Sequence, residues 1–146
     1  MKDEFRDLRL RQLTRSLSAF EAAKQETRPQ RGWLRAIREG LGLSLDDVGK
    51  RLGQSRRRIQ EFEEAEKRDR ITLDSLRRVA AALDCEFVYA IVPKSGTITE
   101  LAERRARAQA TEDVLDVEHS MALENQGTGN VKELIEEETK RRLKKQ

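Results

Sequence analysis

The 146-residue sequence predicts a mainly α protein: a bundle of short helices, one short β-strand, and appended helices at both ends. Three observations predict this. Charged residues make up 39% of the chain and mean hydropathy is −0.81, a charge-rich composition that leans towards helix. Between Trp33 and Asp84, short apolar stripes at helical spacing alternate with glycines and Ser or Thr caps. One run only, Cys85 to Val92, is dense in β-branched and aromatic residues, and Pro93 ends it.

Composition also excludes several classes. Aromatic residues are only 4%, so any core is built from Leu, Ile, Val and Ala. One cysteine rules out an internal disulfide, and one cysteine with one histidine cannot build a structural zinc site. No metal and no cofactor is expected. There is no long apolar run and no signal-peptide core in MKDEFRDLRL, so no membrane association and a cytoplasmic location are expected. The net charge of +3 suits a nucleic-acid partner without demanding one.

Residues 3–24 read as a helix, with Leu10, Leu13, Leu17 and Phe20 on one stripe that either packs on the domain or meets a partner. Thr27-Arg28-Pro29-Gln30 marks a linker, so residues 1–27 form the N-terminal part. Four short helices then occupy residues 31–84. Trp33, Leu34, Ile37 and Leu41 share a face of the first. Ser44 and Asp47 form a capping-box pattern for the second, which buries Leu45, Val48 and Leu52 and stops at Gly53. Ser55 caps the third, with Ile59 and Phe62 inward. Thr72 caps the fourth, whose apolar face is Leu73, Leu76, Val79, Ala80 and Leu83.

Residues 85–93 follow as the strand, with Cys85 expected to be a small buried hydrophobe. The chain offers no second strand, and a lone strand leaves its peptide groups unpaired. Pairing with the same segment of a second copy answers that, so a homodimer is expected. A longer helix is expected from Thr99 to about Glu124, within a region spanning 97–126. Gln126 to Asn130 is a flexible break, and 131–145 a solvated helix with Glu136–Lys140, Glu137–Arg141 and Glu138–Arg142 as acid-before-base pairs. Residues 127–146 together form the last part.

Leu45 to Phe62 carries the strongest functional signal. Gly49 sits where two helices touch, Gly53 tolerates positive φ in the turn, and Val48, Leu52, Ile59 and Phe62 wedge the helices. These residues resemble the Xre-type, phage-repressor-like helix-turn-helix family over about residues 33–84. Gly49 stands where that family more often has alanine, and Phe62 where leucine is usual. The fold this implies is an Xre-type helix-turn-helix bundle, with the third helix entering the major groove of double-stranded operator DNA. On that resemblance Arg56, Arg57 and Gln60 are assigned to base contacts and Ser55 and Arg58 to phosphates. Ser44 and Gln54 complete the expected DNA-contact set. Glu61, Glu63, Glu64 and Glu66 follow and are expected to repel DNA.

Near the C-terminus, Ser120-Met121-Ala122-Leu123-Glu124-Asn125 matches the Ser/Thr-x-x-x-Glu-Gly/Asn pattern of helices that inhibit Fic-domain AMP-transferases. The resemblance implies that Glu124 pairs with an arginine that otherwise holds the ATP γ-phosphate. Ser120 would bond near the same site, and Asn125 would let the helix end. Arg31 to Arg38, Thr72-Leu73, Leu76-Arg77-Arg78, Ala82 to Glu86, Val88-Tyr89-Ala90, Val92-Pro93 and Val117 to Glu124 are similar to the mobile mystery protein A family, over about residues 28–126. That family is typically encoded beside a Fic-domain protein, mobile mystery protein B. The resemblance implies an antitoxin that inhibits a Fic-domain toxin partner and represses its own operon as a dimer. The alternative is a stand-alone Xre-type regulator whose C-terminal helices serve oligomerisation. His119 has no nucleophile–base–orienter set around it, and the chain lacks a phosphate-binding glycine loop and a His-Pro-Phe motif, so no enzymatic activity is expected.

Overall fold

The computed structural model describes residues 2–123 and 130–145. Its α-helices are α1 (Lys2–Ser18), α2 (Trp33–Gly40), α3 (Leu45–Leu52), α4 (Arg56–Lys67), α5 (Leu73–Ala82), α6 (Ile98–Leu123) and α7 (Val131–Lys145), and a 3₁₀ turn spans Ala22–Gln25. The chain divides into two compact units. One is residues 24–89; the other joins the N-terminal residues to 90–146.

Caps delimit the helices of the first unit. Ser44 accepts a hydrogen bond from Asp47 N–H while the Asp47 carboxylate accepts one from Ser44 N–H, closing the box at the start of α3. Ser55 and Thr72 cap α4 and α5 in the same hydroxyl-to-N3 manner. Gly53 ends α3 at φ 64°, which a side chain rarely adopts. Leu34, Val48, Ile59, Val79, Ala82 and Leu83 form the buried core, and Leu45, Leu52, Phe62 and Leu76 pack around it. Gly49 permits a close backbone approach: its carbonyl accepts Gln54 N–H at 2.8 Å, and a Cβ there would lie 2.6 Å from the Gln54 carbonyl oxygen.

Two buried carboxylates tie α4 to α2. Glu63, 7% exposed, accepts two hydrogen bonds from Arg38, at 2.7 and 2.9 Å. Arg38 also donates to the Leu43 carbonyl. Glu66, 4% exposed, accepts from Trp33 N–H at 3.1 Å and Leu34 N–H at 2.8 Å. Gly32, the residue before α2, has no side chain to cap it, so a carboxylate from α4 takes that role. A Cβ on Gly32 would fall 2.6 Å from a Glu66 oxygen. Arg28 closes the C-terminal end of α4 by donating to the Glu66 and Lys67 carbonyls and to Asp69.

In the second unit α1, α6 and α7 pack together. Ala110 and Thr139 are buried within it. Arg6 donates to the Leu143 carbonyl at 2.7 Å, and the Thr14 and Thr99 hydroxyls share a bond. Thr97 and Glu100 form a second capping box in front of α6.

Several expectations are corrected. No strand occurs among the described residues. Cys85 N–H bonds back to the Ala80 carbonyl, and from Glu86 to Val92 the peptide groups make no backbone–backbone hydrogen bond among the described residues. β-branched residues favour extension, but a strand needs a ladder, and one chain supplies no second edge. Cys85 is exposed rather than buried, because the chain leaves α5 there through Asp84 in the left-handed region. Trp33 is exposed and only Leu34 of its stripe is fully buried. α1 ends at Ser18, earlier than expected. α7 packs on α6 instead of standing in solvent: Glu136 pairs with Arg107 of α6, and Arg142 bonds both Asp113 and, one turn back, Glu138.

Gly49→Ala should cost about 1–3 kcal/mol through the clash with the Gln54 carbonyl. Gly40→Ala, whose Cβ meets nothing within 4 Å, should not destabilise. Urea unfolding followed by fluorescence of Trp33, the only tryptophan, reads this difference. Equal midpoints for the two variants would refute the close-approach role of Gly49.

Candidate nucleic-acid interface

α3, the turn at Gly53-Gln54, and α4 form a tight two-helix corner held by Val48 and Ile59, both 0% exposed. The α4 N-terminus therefore projects with its first residues outward. Ser44, Gln54, Ser55, Arg56, Arg57, Arg58 and Gln60 are all exposed. Two helix N-termini, those of α3 and α4, fall within this stretch of sequence, and each carries a serine cap.

The arginines differ in how they are held. Arg57 is the most accessible, with its side chain 90% exposed and Glu61 at 3.6 Å. Arg56 lies 3.8 Å from Asp46 of α3. Arg58 is the most constrained: it pairs with Glu61 at 3.1 Å and stacks on the Phe62 ring at 4.5 Å. Exposed pairs of this kind are worth about 0–1 kcal/mol, so exchanging them for phosphate or base partners costs little. The backbone N–H of Ser44, and after it the Ser44 hydroxyl, hold the Asp47 carboxyl below its ordinary value.

The expected repulsion from all four α4 glutamates is corrected. Glu61 and Glu64 are exposed, but Glu63 and Glu66 are buried against α2. Ile59, Phe62, Glu63 and Glu66 share one face at helical spacing, and this was the available signal. Sequence reasoning also missed Asp46 and Glu61 as the partners of the arginines. Ser120, on α6, is exposed and its hydroxyl donates to the Asp116 carbonyl at 3.1 Å. Glu124 and Asn125 lie outside the described residues. His119 is exposed, and the described residues contain no cluster of His, Cys, Asp and Glu able to hold a metal. No described helix is long and apolar enough to cross a membrane.

Residues 34–89 match the family model for the helix-turn-helix. Residues 34–89 are a helix-turn-helix domain. The match ends at Tyr89, the residue where the first compact unit also ends. No curated protein and no solved structure matches the chain.

Proposed function

We propose that this protein is a sequence-specific DNA-binding regulator of transcription of the Xre type, reading double-stranded DNA with the first turns of α4. The supporting observation is the helix-turn-helix domain whose α4 opens with three consecutive exposed arginines behind a serine cap. Arg56, Arg57 and Gln60 reach base edges, while Ser55 and Arg58 hold phosphates, and Ser44 and Gln54 lie beside them. Burial of Glu63 and Glu66 supports this reading, since it removes two negative charges from the surface of α4. A second copy of the chain presents the second reading helix to an inverted repeat. The peptide groups of residues 86–92, which make no backbone–backbone hydrogen bond among the described residues, are the edge through which the copies join.

A second reading adds to the first. In it the protein is the antitoxin of a Fic-domain toxin, a mobile mystery protein A-like partner for a mobile mystery protein B-like AMP-transferase. It rests on the sequence from Ser120 to Asn125 and on the wider resemblance quoted above. α6 carries Ser120 on an exposed face, which suits a helix offered to a partner.

Arg57→Ala should flatten base preference at one operator position by about 1–3 kcal/mol, leaving binding to mismatched sites nearly unchanged. Equal losses on every base-substituted duplex would overturn the base-contact role of Arg57. For the second reading, a Fic-domain enzyme should be encoded beside this protein, and wild type should suppress its AMP transfer. Glu124→Gly should restore transfer with the complex intact. Equal inhibition by both would remove Glu124 from the inhibitory contact, and no inhibition would leave the DNA-binding role alone.

A further inference from the structure

The three-helix unit contains an open cavity of about 410 Å³ among α1, α6 and α7. Its apolar lining includes Leu10, Leu101 and Ala102, and its charged lining is Arg6, Arg105 and Arg142, with no Asp or Glu among the lining residues. The three arginines are not equally occupied. Arg6 donates to the carbonyl end of α7, and Arg142 pairs with Asp113 and Glu138. Arg142 Nε is nevertheless buried without an aligned hydrogen-bond acceptor. Arg105 has no hydrogen-bond or ion-pair partner among the described residues. Cationic groups next to an apolar wall select a ligand that carries both complements.

We propose that this cavity binds a small amphipathic anion: a carboxylate or sulfonate on a compact apolar body, its charge on Arg105 and its body against Leu10, Leu101 and Ala102. An inorganic anion alone leaves the apolar wall uncovered, and a neutral apolar molecule leaves Arg105 without a partner. The site is independent of the DNA-binding reading and is made wholly by the second unit.

The test uses the full chain and anilinonaphthalene sulfonate as the fluorescent probe, with octanoate, octanol and inorganic phosphate as competitors. The expected result is saturable one-to-one binding that octanoate displaces and octanol and phosphate do not. Arg105→Gln should weaken it by about tenfold. Arg15→Gln, which removes the same charge from α1 away from the cavity lining, should leave it unchanged. Ala102→Leu, which fills the apolar wall, should abolish it, with far-ultraviolet circular dichroism confirming an intact fold. Absence of saturable binding, equal effects of the Arg105 and Arg15 variants, or displacement by phosphate as effective as by octanoate would each overturn the proposal.

Discussion

Glu63 and Glu66, the carboxylates that α4 turns inward, fix how the candidate reading helix stands on its domain. Each takes a different part of α2. Glu63 grips the Arg38 side chain with two hydrogen bonds, and Glu66 caps the bare N-terminus of α2 through two backbone N–H groups. Removing one partner of a buried ion pair costs about 3–5 kcal/mol, because the other charge is left uncompensated in a poor dielectric. Geometry follows from this arrangement. With α4 clamped to α2 at Glu63 and Glu66, and to α3 by Val48 and Ile59, the N-terminal residues of α4 have one direction left, outward.

The same clamp gives α4 a division of labour along its length. Its first turn carries three arginines in weak, exposed pairs that solvent or phosphate can replace. Its last turns carry two carboxylates in strong, buried contacts, and Arg28 seals the carbonyl end. The helix is thus exchangeable at one end and fixed at the other, as suits an element that meets a partner without moving.

Local chemistry was legible in the sequence where the interaction is local. The Ser44–Asp47 box, the Ser55 and Thr72 caps, the left-handed Gly53 and the apolar stripe from Val48 to Leu83 each involve residues within a turn or a periodic face. Contacts across sequence distance were not. The Glu66 cap on Leu34 spans 32 residues, and its charge suggested solvent although its spacing from Ile59 suggested core. Cys85 to Val92 has strand composition, yet extension alone makes no strand without a pairing edge. Val131 to Lys145 has the charge pattern of a solvated helix, but Arg107 of α6 and Glu136 take one of its charges across to a neighbour. Among the candidate site residues, the arginines and serines could be named from sequence, whereas Asp46 and Glu61 as their partners required the three-dimensional arrangement.

Backbone amide chemical shifts of the full chain, titrated with a selected operator duplex, test the central claim most directly. The account predicts that the largest changes cluster at Ser44–Asp46 and Gln54–Gln60, with little change in α2 around Arg38. Changes centred on α2 or α5, or none at all with a duplex that the chain retains, would contradict reading by the α4 N-terminus.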